Sequence, residues 1–245
     1  MRGETDPSLN KRGVHHSDQG GPPGRLRCVA TEVFPVAGWL LVLGSVSFIV
    51  GAANPALGQV WSAPMDTQLR LIRDAATAWT VTNVLFLVAT VLTAAGLWFV
   101  PERVGNRGLM PARGATVVFL VAATAWLASL VFRLTVTPHA ASTFVAGSSI
   151  DPTYVSLDLW AVGLFGAFTY LAGCSLVAFG VAVVLGRALS AFAGWFAIVI
   201  GVVIVVGYAI AGDMPPFVAY LPTGLLGIVL LRQPEPLTFS QGLKS

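Results

Sequence analysis

Apolar residues gather into six long stretches, at residues 34–52, 77–100, 115–136, 159–185, 189–211 and 216–231. No Asp, Glu, Lys, Arg or His falls in the central part of any of them. A hydrocarbon core about 30 Å thick needs roughly 20 apolar helical residues, each rising about 1.5 Å. The pattern therefore predicts an all-α integral membrane bundle of six transmembrane helices spanning 34–231. Residues 1–33 are polar and rich in Gly, Pro and Ser, and are expected to form a disordered tail with no signal-peptide core. Residues 232–245 form a second, short tail.

The polar segments decide the threading. With the N-terminus in the cytoplasm, only Arg70, Arg73 and Arg133 of the fourteen Lys and Arg residues fall on the outer side. Short cytoplasmic loops are enriched in Lys and Arg, so both termini are expected inside, which requires an even number of spans. Composition agrees: apolar residues make up 56% of the chain and charged residues 10%, against about 25% charged in a soluble domain. The pI near 9.2 comes from dispersed basic residues that follow the threading, and no nucleic-acid partner is implied. Arg outnumbers Lys twelve to two, and Ala, Gly and Val are abundant, as in a GC-rich bacterial genome, so the chain is expected in a bacterial cytoplasmic membrane. Cys28 and Cys174 are expected at depths too different to pair.

The connections carry their own signals. Asn54-Pro55 ends the first stretch in a turn. Residues 65–76 place Leu69, Ile72 and Ala76 on one face, with Asp66/Arg70 and Arg70/Asp74 four apart, as in a short amphipathic helix packed as an outer lid. Pro101 and Pro111 bound an inner loop. Residues 137–158, with His139 and Tyr154, are the longest ordered connection expected. The connections at 186–187 and 212–215 are so short that the fourth and fifth stretches, and the fifth and sixth, should be antiparallel neighbours. Pro222-Thr223-Gly224 is expected to break the last stretch at its middle. His15 and His16 are adjacent but have no further ligands nearby, and read as tail residues.

Helices in lipid associate by close packing and interhelical hydrogen bonds. Gly166, Gly173 and Gly180 recur every seven residues, with Cys174, Ala178, Ala182 and Gly186 beside them; Ala193, Ala197 and Gly201 recur every four; Gly44, Ser47 and Gly51 mark the first stretch. These stripes are expected to pack within the chain. Thr80, Asn83 and Thr90 are expected on one face of the second stretch, with the Asn83 amide in an interhelical hydrogen bond. Trp79, Trp98, Trp160 and Trp195 fall near span ends as interfacial anchors, and Trp126 lies deeper as a packing residue.

Few chemistries remain open. The spans hold no histidine for haem or zinc, no mid-membrane acid for an aspartyl protease or proton relay, and no lysine for a Ser/Lys dyad. Walker A and Gly-x-Ser-x-Gly sequences are missing. No cofactor is expected, and catalysis is disfavoured. One constellation stands out on the outer side: Asn83, Arg133, His139, Asp158 and Asp213, candidates for an outward-facing polar pocket. Structural roles compete with that reading. Arg133 near a helix end can extend its head to the interface, and Asp158 at a helix N-terminus is favoured by the dipole.

The segments Gly38-Trp39-Leu40-Leu41-Val42-Leu43-Gly44 and 191–201, AFAGWFAIVIG, follow the same opening pattern of glycine and tryptophan. On these the chain resembles the broad group of small multi-pass bacterial membrane proteins of unknown function, a resemblance that carries no site residue over. The expected role is that of a non-catalytic accessory, scaffold or assembly component in the bilayer, acting with a membrane-protein partner or a second copy of itself. The alternative is a small-molecule or lipid transporter with an outward-facing polar pocket.

Overall fold

The computed structural model describes residues 24–145 and 147–232, with side chains from residue 35 onward. Residues 1–23 with His15 and His16, the side chain of Cys28, and the C-terminal residues 233–245 lie outside the described residues. Seven α-helices carry the described chain: α1 (Gly24–Ala52), α2 (Met65–Asp74), α3 (Ala76–Trp98), α4 (Leu109–Thr143), α5 (Pro152–Gly186), α6 (Ala191–Ala211) and α7 (Tyr220–Arg232). No strand occurs among the described residues. The first helix begins at Gly24, ten positions ahead of the first apolar stretch.

Five helical segments are long and apolar enough to cross a membrane: Pro35–Ala52 within α1, Ala76–Arg103 (α3 with the 3₁₀ turn Pro101–Arg103 that follows it), Leu109–Thr143, Pro152–Gly186 and Ala191–Ala211. The sixth expected span is shorter. It consists of a 3₁₀ turn, Pro216–Ala219, leading into the 13-residue α7. Pro222 sits in the first turn of α7, where a proline displaces no intrahelical hydrogen bond, so Pro222-Thr223-Gly224 opens this helix instead of breaking it.

The third and fourth stretches run further than hydropathy indicates. Helix α4 continues through Thr137, Pro138 and His139 to Thr143, and α5 starts at Pro152, capped by Asp151 accepting the Thr153 N–H at 2.8 Å. The expected connection 137–158 therefore shrinks to a few residues around Gly147. Asp158 lies in the second turn of α5, past the helix opening, and Arg133 lies well before the end of α4.

In space α1 packs on α3 and on α7, α3 leads to α4, α4 packs on α5, and α5 on α6. Helix α7 touches α6 but lies chiefly against α1, because the four-residue 3₁₀ turn carries the chain away from α6 before the helix begins. Small residues make the tight contacts. A Cβ on Gly180 would stand 2.5 Å from the Gly194 carbonyl oxygen, and one on Gly201 would stand 2.7 Å from that of Gly173. The α5 and α6 stripes thus pack within the chain, while Cys174 points outward as a free thiol.

Hydrogen bonds and ring stacking add specificity. The Ser45 hydroxyl donates to the Tyr220 carbonyl at 2.8 Å, and the Tyr220 hydroxyl meets Thr90 at 2.9 Å. Phe48 stacks between Phe86 and Tyr220, with centroids at 4.3 and 4.0 Å. Together these contacts pin α7 to α1 and α3. Ser129 and Ser175 donate to the Ala161 and Ala115 carbonyls and tie α4 to α5 at two depths.

Two expectations about the second stretch are revised. Asn83 and Thr90 are buried, but Thr80 is exposed and bonds back to Ala76. The Asn83 amide donates to the Trp79 carbonyl within α3 instead of to another helix. Trp79 is itself buried, with its indole N–H donating to the Arg133 carbonyl at 2.7 Å, whereas Trp98, Trp160 and Trp195 are exposed.

A leucine at Gly180 has no room without a backbone shift, so Gly180→Leu is expected to cost about 1–3 kcal/mol in detergent unfolding. Gly163, with nothing within 4 Å of an added Cβ, serves as the control, and Gly163→Leu is expected to be near neutral. Tyr220→Phe should cost about 1 kcal/mol in the same assay, because Thr90 keeps its Phe86 carbonyl acceptor.

Candidate ligand cavity

Helix α4 places Trp126 and Arg133 seven residues apart, hence on one face two turns from each other. Asp158, Val162 and Phe165 follow the i, i+4, i+7 rule on the facing side of α5. The 3₁₀ turn Val60–Ser62 swings Trp61 over the same region, and α2 contributes Gln68. Helix α2 forms as the expected amphipathic element, burying Leu69 and Ile72. Its ion pairs are Arg70 with Asp66 at 3.3 Å and Arg73 with Asp74 at 3.4 Å, so the expected Arg70/Asp74 pair is replaced by a neighbouring one. Both are exposed and contribute little to stability.

These elements enclose a cavity of about 450 Å³. Aromatic groups dominate its wall: Trp61, Phe86, Trp126, Phe165, Tyr208 and Phe217. Arg133 and Asp213 are the oppositely charged side chains that line it. Tyr208 reaches this wall because Gly166 faces it; a Cβ on Gly166 would stand 2.5 Å from the Tyr208 hydroxyl. Trp126 packs against Phe168 and Phe165, each with ring centroids at 5.4 Å.

The Arg133 guanidinium is the unusual group. It lies 5.4 Å from the ring centroids of both Trp61 and Trp126, a double cation–π contact. Among the described residues no carboxylate lies within 4 Å of it and no hydrogen bond from its side chain is formed. Asp158 and Asp213 attract it through space without pairing. The Trp126 indole N–H, fully buried, also lacks a partner. The guanidinium is therefore the strong donor left unused in this aromatic chamber, while the Trp126 N–H is sealed inside the packing with no surface facing the cavity.

A smaller cavity of about 200 Å³ lies on the other side of Arg133, lined by Trp79, Thr137, Tyr154 and Asp158. Gln68, Arg133 and Val162 are common to both and form the partition. Of the five candidate residues, Arg133, Asp158 and Asp213 thus gather around these two chambers. Asn83 lines neither, being buried in the core with its carbonyl oxygen unpartnered. His139 is exposed on a separate cavity of about 260 Å³ with Asp151 and Tyr154.

Trp61, Gln68, Phe165, Tyr208 and Phe217 join the site without having been singled out from sequence. The signal for Tyr208 was Gly166, whose missing side chain makes room for a bulky neighbour on the facing helix. Trp61 and Phe217 come from 3₁₀ turns, which leave no periodic trace. Among the described residues no group of three or more His, Cys, Asp or Glu side chains is placed to hold a metal ion. No protein-family model matches the chain, and neither a curated protein nor a solved structure matches it.

Removing the guanidinium strands no paired carboxylate. Arg133→Met gives up two cation–π contacts of about 0.5–1 kcal/mol each and relieves a desolvated charge. Its unfolding free energy in detergent is therefore expected to change by less than about 2 kcal/mol, whereas Trp126→Ala should lose about 3–5 kcal/mol.

Proposed function

We propose that the chain is a non-catalytic integral protein of a bacterial cytoplasmic membrane that holds a small ligand in the Arg133 cavity. Its role is that of an accessory or assembly component, working with a membrane partner or a second copy of itself. The observation that carries the reading is the unpaired guanidinium between two indoles in an aromatic chamber of about 450 Å³. Ligand sites are concave and mostly apolar, with a few placed polar groups, at volumes of about 300–1,000 Å³. An arginine kept only for the fold would be expected to hold a carboxylate; this one holds none within 4 Å. The residues lining the chamber include an arginine, an aspartate, a tyrosine and a glutamine among aromatic rings, which suits recognition. It pairs no nucleophile with a base.

The same proposal includes six crossings with both termini in the cytoplasm. The distribution of Arg and Lys supports it. The short last segment supports it too: 13 α-helical and four 3₁₀ residues extend roughly 27 Å, close to the hydrocarbon thickness. With this threading the Arg133 cavity opens on the outer side.

A transporter is the second reading. It is favoured by Pro215, Pro216 and Phe217, which line the cavity where the last crossing begins as a 3₁₀ turn instead of an α-helix. It requires a water path deeper into the bundle, towards Asn83 or Pro222, and both of these residues are buried.

Single cysteines in a background lacking Cys28 and Cys174, labelled on intact cells with a membrane-impermeant maleimide, separate these readings. Phe217→Cys is expected to label from outside, while Asn83→Cys and Pro222→Cys stay unlabelled. Labelling at either deep position would shift the reading to transport. Labelling of Phe217→Cys only after the cytoplasmic face is opened would overturn the orientation.

A further inference from the structure

The charges in the large cavity are balanced and apart. Arg133 and Asp213 both line it, yet no ion pair within 4 Å joins them. Asp213 is oriented by accepting the Met214 N–H through Oδ1 at 2.7 Å, which leaves its second oxygen without a hydrogen bond from the described residues. On the Arg133 side, no hydrogen bond from the guanidinium to any described residue is formed, and Trp126 and Trp61 offer it their ring faces. The cavity wall thus carries an unpaired cation, a carboxylate with a free oxygen and aromatic rings.

A bare anion fits this arrangement poorly. It would meet the guanidinium with Asp213 in the same chamber and Asp158 lining the chamber behind. A bare cation would gain Asp213 and the faces of Tyr208 and Phe217 but would share the cavity with the like-charged, unpaired Arg133. A ligand bearing both charges satisfies each end. Its oxyanion takes the Arg133 guanidinium in charge-assisted hydrogen bonds. Its ammonium takes the free Asp213 oxygen and the aromatic faces near the mouth, as cations do over ring faces. Its apolar body fills the space against Phe86 and Phe165.

Building on the ligand-cavity reading above, we propose that this cavity binds a zwitterion carried on an apolar body, with the oxyanion at Arg133 and the ammonium at Asp213. Two sources share that chemistry: a free aromatic or aliphatic amino acid, and the headgroup of an ethanolamine phospholipid entering from the bilayer.

Four matched probes test it by calorimetry on the purified full chain in dodecyl maltoside: phenylalanine, 3-phenylpropionate, phenethylamine and 2-phenylethanol. Nanodiscs of phosphatidylethanolamine or phosphatidylglycerol form the lipid arm, read by native mass spectrometry of retained lipid. Phenylalanine is expected to bind at least about tenfold more tightly than either singly charged relative, and Arg133→Gln or Asp213→Asn to weaken it by about tenfold or more. Neither variant should alter the binding of 2-phenylethanol, which reports an intact cavity. A preference for phosphatidylethanolamine that both variants abolish, without phenylalanine binding, supports the proposal and assigns the lipid source. Phenylpropionate or phenethylamine binding as tightly as phenylalanine would overturn it, as would variants that change nothing. Binding of 2-phenylethanol alone would overturn the zwitterion while keeping the cavity as a ligand site. If no probe binds and no lipid is selected, both readings fall.

Discussion

A guanidinium held between two indole faces organises one end of this bundle. In a low-dielectric setting an arginine ordinarily recruits a carboxylate, because an unpaired ion there is costly. Arg133 has Trp61 and Trp126 instead, each at 5.4 Å, with Asp158 and Asp213 near enough to attract it but not to close on it. Closing either pair would place a carboxylate against the guanidinium and fill the space beside it. The ring faces satisfy part of the charge with no carboxylate in contact, and Arg133 lines both chambers. Trp126 is anchored by Phe165 and Phe168, and Trp79 grips the Arg133 backbone, so both the ring and the helix segment that carry the contact are fixed.

The remaining architecture supplies rigid walls for that arrangement. Carbonyl-to-glycine contacts hold α5 against α6, and serine hydroxyls tie α4 to α5, so Asp158, Phe165 and Tyr208 face the cavity from elements with little freedom to move apart. On the opposite flank, the Phe48 stack and the Thr90–Tyr220 bond fix α7 and with it the 3₁₀ turn at the cavity mouth. The mouth is built from the least regular segments, the turns carrying Trp61 and Phe217. Those are the segments able to adjust to a ligand without disturbing helix packing.

Hydropathy made the helical class legible, and the glycine stripes marked the α5–α6 contact, because both depend on composition along single helices. Helix ends were less legible. Thr137, Pro138 and His139 read as a polar break, yet backbone hydrogen bonding carries α4 past them, since a helix can continue into the interface wherever its carbonyls and N–H groups find each other. That difference changed the standing of two residues. Asp158 lost its explanation as a helix-opening charge, which belongs to Asp151, and Arg133 lost the helix-end position that would let it extend freely into water. Within the site, the charged members were visible as rare charges near apolar stretches. The aromatic cage was not, because it joins residues from 3₁₀ turns and from four different α-helices, a juxtaposition with no periodic signature.

The most direct test is a pair of double-mutant cycles on unfolding free energy in mixed micelles, one coupling Arg133→Met with Trp61→Leu and the other coupling Arg133→Met with Asp158→Asn. A guanidinium held by ring faces predicts a Trp61 coupling of about 0.5–2 kcal/mol that exceeds the Asp158 coupling. A dominant Asp158 coupling, with none to Trp61, would mean that Arg133 is an ordinary buried ion pair, and the cavity beside it would lose its claim to an unused cation.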